Sequence, residues 1–142
     1  MQTPKLLLSI SLPGNCLTNR KFARYFEVEA RIIPVKKESE YCLDIGKIRE
    51  NLDENTIGIF VILGSTYTGH YEPVETVSKL LDEYEKETGF DIPIHVDGAS
   101  GALFCPFATP SVKFGFEIPR VKSINAYLPL SYSILLNAVE LC

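Results

Sequence analysis

The sequence predicts an α/β fold, a mostly parallel sheet with crossover helices, and three stretches carry that expectation. Ile57 to Leu63 reads IGIFVIL, a continuous apolar run rich in β-branched residues and too short for a typical helix; a fully buried parallel strand fits it best. After the loop from Gly64 to Glu72, Pro73 suits a first helical position. Val74, Val77, Leu80, Leu81 and Tyr84 then recur on one face, and Gly89 is a natural stop. Ile92 to Val96 is a second buried strand, ending at Asp97. Strand, helix and strand with a long crossover make a right-handed βαβ unit.

The flanking elements are weaker. Leu6 to Leu12 is a short apolar stretch preceded by a single lysine, Lys5, and a buried strand is a better reading of it than a signal peptide. Thr18 can cap a helix running to Phe26, with Phe22, Tyr25 and Phe26 on one face. Val28 to Val35 reads as a strand broken near Pro34, and Asp44 can cap a short helix to about Leu52. Val121 to Ile124 is the last strand.

With 142 residues, 46% apolar and 23% charged, the chain has the composition of one soluble globular domain with its own core. No apolar run approaches the roughly 20 residues that cross a bilayer. The net charge is −4 and no basic stripe stands out, so neither nucleic acid nor membrane is an expected partner. Cys16, Cys42, Cys105 and Cys142 are scattered, without a CxxC pair or a histidine at metal spacing. They read as reduced thiols of a cytoplasmic protein, and no metal site is expected.

In parallel sheets, ligands bind outside the carboxyl ends of the strands. The loop from Gly64 to Gly69 and the stretch from Asp97 to Gly101 meet that rule. Asp97 closes a buried strand, where a carboxylate costs several kcal/mol of desolvation unless it is partnered. A cationic ring nitrogen is one such partner, as in pyridoxal phosphate chemistry. An Asp-Gly turn that caps the next segment is the other reading, and local sequence leaves both open. The Gly64-Ser-Thr-Tyr-Thr-Gly69 loop offers hydroxyls to a ligand oxygen but carries neither a Walker nor a Rossmann glycine fingerprint. His95 shares a strand face with Asp97 and reads as a packed strand histidine, with no third ligand for a metal in view. His70 reads as a solvated loop residue.

Several motifs, in order, resemble glutamate decarboxylases, with wording nearest to the fungal members. They are Lys21-Phe-Ala-Arg-Tyr-Phe-Glu-Val-Glu, Asp53-Glu-Asn-Thr-Ile-Gly, Gly64-Ser-Thr-Tyr-Thr-Gly-His-Tyr-Glu, Thr88-Gly-Phe-Asp-Ile-Pro-Ile-His-Val-Asp-Gly-Ala-Ser-Gly and Pro119-Arg-Val-Lys-Ser-Ile-Asn. The match covers residues 21–125 and leaves 1–20 and 126–142 unmatched. The resemblance implies one partial pyridoxal-phosphate-binding domain, part of the large domain of the aspartate-aminotransferase type (fold type I). It implies pyridoxal 5'-phosphate as cofactor and decarboxylation of L-glutamate to 4-aminobutyrate in the complete enzyme. It places Asp97 against the pyridinium nitrogen, Thr66 in contact with the cofactor and Ala99 against its ring. Family members pair as dimers, which implies a homo-oligomer or docking to a full-length homologue.

The departures carry as much. After the strand, the family continues into a Ser-Gly-His-Lys motif whose lysine forms the Schiff base. Here the chain reads Ala126-Tyr-Leu-Pro-Leu130, with Leu130 at the lysine position and Pro129 at the histidine position. Lys122 matches a neighbouring family lysine and not the Schiff-base one. The phosphate-binding loop, the ring-stacking residue and most substrate contacts of the family lie upstream of the match. The pattern suggests a truncated or misspliced gene model, inactive alone, whose exposed strand edges and apolar surface favour poor solubility or oligomerisation.

Overall fold

The computed structural model describes residues 3–10, 17–65 and 68–127, without the side chains of residues 6–10 and 17–20. Five strands form one sheet: β1 (Lys5–Ile10), β2 (Glu29–Pro34), β3 (Thr56–Ile62), β4 (Ile94–Gly98) and β5 (Val121–Ala126). Their order is β2-β1-β3-β4-β5, and every neighbouring pair is parallel. The helices that make the crossovers are α1 (Leu17–Tyr25), α2 (Ile45–Glu50), α3 (Val74–Thr88) and the short α4 (Cys105–Ala108). Each expected strand and helix is present, and α4 is an addition that the sequence did not suggest.

Local chemistry explains the boundaries. The Asp44 side chain accepts a hydrogen bond from the Gly46 amide at 3.0 Å, which caps α2. Pro73 stands one residue ahead of α3, as its N-cap, and Gly89 ends the helix in the left-handed region at φ 80°. Thr18 lies within α1, one residue past its start, so it is not the cap. Pro34 closes β2, an edge strand, where the missing N–H breaks no ladder.

One face of the sheet carries the core. Ile59, Val61 and Leu63 from β3 and its end, with Ile94 and Val96 from β4, meet Val74, Val77 and Leu81 of α3, and all are buried. Ile48 and Leu52 from the α2 region join the same cluster. The expectation that β3 is buried on both faces is corrected here. Phe60 and Ile62 are half-buried and Ile57 is exposed, because α1 covers only part of the opposite face. Phe22 of α1 reaches that face, with its ring centroid 6.1 Å from that of Phe60. The aromatic group on α1 forms, with Phe22 and Phe26 centroids 4.5 Å apart, but its rings stay exposed; among the described side chains of the helix, Ala23 is the buried one.

Two ionic clusters pin the sheet from outside the core. At the amino ends of the strands, Lys5 and Arg31 both reach Asp53, at 2.8 and 2.7 Å. Together they hold the carboxyl of Asp53 down from its ordinary 3.8 to about 2, the Lys5 hydrogen bond contributing most. At the other edge, buried Arg120 precedes β5. It donates to Asp82 at 2.5 Å, to Asp91 at 2.8 Å, to Glu85 and to the Ile92 carbonyl at 3.3 Å. These contacts tie α3 and the approach to β4 onto the last strand.

Candidate functional site

The carboxyl ends of β3, β4 and β5 converge, and backbone packing brings their loops together. Gly64 follows β3 at φ 84°, and a Cβ there would sit 2.9 Å from the Gly101 Cα. At Gly101 a Cβ would meet the Leu63 carbonyl oxygen at 2.4 Å. Only glycine permits this approach, so the Gly64 and Asp97–Gly101 loops, 37 positions apart in sequence between the two glycines, are locked against each other. The β3 loop closes on itself, with the Gly69 amide donating to the Ser65 carbonyl at 2.7 Å and the Ser65 amide to the His70 carbonyl at 3.0 Å.

Asp97 stands at this mouth, half-buried on β4. Its backbone carbonyl accepts the Leu63 amide at 2.8 Å, joining β4 to the end of β3. Its Oδ1 accepts from Asn125 Nδ2 at 3.0 Å and from the Ala99 amide at 3.3 Å. Its Oδ2 accepts no hydrogen bond from the described residues. The Ala99 bond is the Asp-Gly turn capping that the sequence offered as one reading, but it occupies a single oxygen. One oxygen is therefore fixed, and the other remains for a donor outside the described residues.

His95 lies two residues earlier on the same face. Its Nδ1 pairs with Ser123 Oγ at 2.7 Å, and its ring lies 4.5 Å from that of Phe60. Burial pushes its pKa below the usual value, against the pull of Asp97 and a hydrogen bond that the ring donates to Asn125. Packing against an aromatic ring and a hydroxyl is how a strand histidine is satisfied. His70 is exposed, with Nδ1 2.9 Å from the Glu40 carbonyl oxygen. No group of three His, Cys, Asp or Glu side chains among the described residues is placed to hold a metal ion. Cys42 and Cys105 are free thiols, and burial leads the causes that raise both pKa values. No helix of the described residues is long and apolar enough to cross a membrane.

Of the residues singled out in the sequence, Asp97 and Ala99 meet at this mouth, and Thr66, Pro129 and Leu130 lie outside the described residues. Lys122 is exposed on β5, three positions before Asn125. That places it roughly 10 Å back along the strand from the level of Asp97. Sequence reasoning missed Asn125, Ser123 and Glu72. Glu72 is buried, and its Oε2 accepts the Ile62 amide at 2.6 Å, while its own amide donates to the Ile62 carbonyl at 3.1 Å. It thus clamps the end of the loop that follows β3 back onto the strand.

Residues 14–129 match the pyridoxal-dependent decarboxylase conserved domain. Glutamate decarboxylase of Aliivibrio fischeri is 46% identical over 106 residues, which are 75% of this chain and 23% of that protein. Among solved structures, Lactobacillus brevis glutamate decarboxylase superposes with a TM-score of 0.80 at 31% identity, over 88% of this chain and 27% of that one. Alanine aminotransferase from Pyrococcus furiosus gives 0.54 at 21% identity, over 68% of this chain and 23% of that one, a likeness of fold alone. The sheet is thus part of a fold type I domain, and the chain spans about a quarter of the length of these proteins.

Proposed function

The chain belongs to the pyridoxal-dependent decarboxylase family, and from that premise we propose that it supplies the carboxylate side of a glutamate decarboxylase cofactor site. Asp97 is the acid that keeps the pyridine nitrogen of pyridoxal phosphate protonated. When bound, the cofactor supplies an electron sink for the charge left on the substrate carbon as carbon dioxide departs. The observation that supports this reading is the Asp97 carboxylate at the strand mouth. Asn125 and the Ala99 amide orient Oδ1, and Oδ2 accepts nothing from the described residues. A half-buried carboxylate with one oxygen to spare suits a cationic N–H. Ala99, whose side chain is small, leaves room for a flat ring beside it, and Thr66 carries the second contact by its place in the motif.

The covalent anchor does not fit the same way. Leu130 stands where the family motif has its lysine, and an alkyl side chain cannot attack a carbonyl carbon. The chain alone therefore binds the cofactor without bonding to it and does not turn over L-glutamate. A complete site also needs a Schiff-base lysine and the phosphate-binding loop, which in the family lies upstream of the matched segment.

The test is the absorbance of the purified chain with pyridoxal phosphate, before and after borohydride reduction, followed by intact mass and an assay for 4-aminobutyrate. The expected result is a reversible spectral change that Asp97→Ala removes, no mass adduct and no product. Two results would sink the proposal: no cofactor-dependent change at all, or a single stoichiometric adduct accompanied by 4-aminobutyrate.

A further inference from the structure

Asn125 reaches Asp97 through one end of its carboxamide, with Nδ2 donating to Oδ1 at 3.0 Å. Turned over, the same group would point its own oxygen at the carboxylate, and the attraction would become a repulsion. Whatever holds the amide in its present sense therefore decides whether Asp97 keeps its donor. The β4–β5 register pairs Asp97 with Asn125 and His95 with Ser123, so the four side chains lie on one face of the sheet. On that face the His95 ring donates a hydrogen bond to Asn125. The acceptor there is Asn125 Oδ1, because Nδ2 only donates. The ring's Nδ1 stands 2.7 Å from Ser123 Oγ, a hydroxyl able to donate to it. Nε2 is then the nitrogen left to carry the proton toward Asn125. The Phe60 ring, 4.5 Å away and inclined by 47°, fixes the plane of the imidazole.

We propose that His95 is a positioning residue for the cofactor carboxylate: as the Nε2–H tautomer, held by Ser123 and Phe60, it locks the Asn125 carboxamide with Nδ2 toward Asp97 Oδ1, leaving Oδ2 for the cofactor nitrogen. The assignment rests on the role given to Asp97 above. From Ser123 through His95 and Asn125 to Asp97, each member donates to the next, and the series ends on a charge. Hydrogen bonds aligned in one direction strengthen one another. Burial disfavours the charged form of the ring. His95 thus donates without placing a second cation beside Asp97, where it would compete with a pyridine N–H. Outer partners of this kind orient the groups that touch a ligand. A histidine that only packed would need neither a fixed tautomer nor this direction.

The test uses the full chain labelled with heavy nitrogen. Long-range proton–nitrogen spectra without cofactor read the tautomer, and His70→Gln tells the 2 histidines apart. The expected result is a protonated Nε2 and a bare Nδ1 at His95. In His95→Phe, which keeps a ring against Phe60 and donates nothing, the Asn125 side-chain amide protons exchange with water several-fold faster. Pyridoxal phosphate titrations give the second reading. His95→Phe weakens binding several-fold, and His95→Gln, whose amide can donate to Asn125, recovers most of the loss. A proton on Nδ1, amide exchange indifferent to His95→Phe, or equal cofactor affinity in the Phe and Gln variants overturns the proposal. A parent chain with no cofactor response at all sinks the role of Asp97, and the spectra without cofactor then decide the hydrogen-bond series on their own.

Discussion

Asn125 and Asp97 face each other across the β4–β5 pair, and the Asn125 amide holds Asp97 Oδ1 at 3.0 Å. Strands separated by a 22-residue connection thereby place a carboxylate with one oxygen fixed and the other spare. A hydrogen bond to a charged acceptor contributes about 1–2 kcal/mol. Asn125→Ala and Asp97→Ala should each destabilise the fold modestly. The double variant should cost less than their sum, with a coupling energy of about 1 kcal/mol in urea unfolding. Full additivity would mean that the bond does not form in solution.

The close approach of Gly64 and Gly101 makes a second prediction. Gly101→Ala drives a methyl group into the Leu63 carbonyl oxygen, where backbone rather than a flexible side chain must yield. The expected cost is about 3 kcal/mol, at the upper end for overpacking. Gly46→Ala, whose nearest neighbour is the Asp44 carboxylate at 3.3 Å, should be nearly neutral by the same unfolding assay.

Arg120 is buried, whereas its partners Asp82, Glu85 and Asp91 are about half exposed. The asymmetry decides which substitution matters. Removing any one acid leaves two others and lets water replace it, at a cost of about 0.5 kcal/mol. Arg120→Ala removes the shared centre and its packing, and should cost about 2–3 kcal/mol. Thermal melts of Asp82→Asn and Arg120→Ala, compared at one pH, check the ordering.

Stability should also fall in acid in a way that Asp53 controls. Lys5 and Arg31 lower its folded pKa to about 2, below the ordinary 3.8. The unfolded chain therefore takes up the proton first as pH falls. The contribution is intact above about 4 and is lost as pH drops through the window down to about 2. Denaturation midpoints from pH 5 to 2 should fall less steeply in Asp53→Asn than in the parent.

His95 sets a separate window near neutrality. Burial lowers its folded pKa, so the unfolded state binds a proton that the folded state refuses. Stability should decline as pH falls below about 6.5. His95→Gln, which keeps a polar contact for Ser123 without titrating, should flatten the profile between pH 7 and 5.

What the sequence determined by itself was local and periodic. The IGIFVIL run, the apolar stripe from Val74 to Tyr84 and the Gly89 stop each announce an element through neighbours within one or two turns, and β3 and α3 form there. The place of Asp97 near a strand end was legible for the same reason, since β4 is short and closes one residue past it, at Gly98. Tertiary structure alone decided which face of β3 stays open, because a run that is apolar throughout looks the same from both sides. It also decided the partners: Asn125 opposite Asp97, Gly64 against Gly101, Arg120 among acids from α3, and Glu72 folded back onto Ile62. Most of these pairs join residues far apart in sequence, and all depend on strand register and loop packing. Those are set when the crossovers dock the sheet together, and no local pattern of residue types records them.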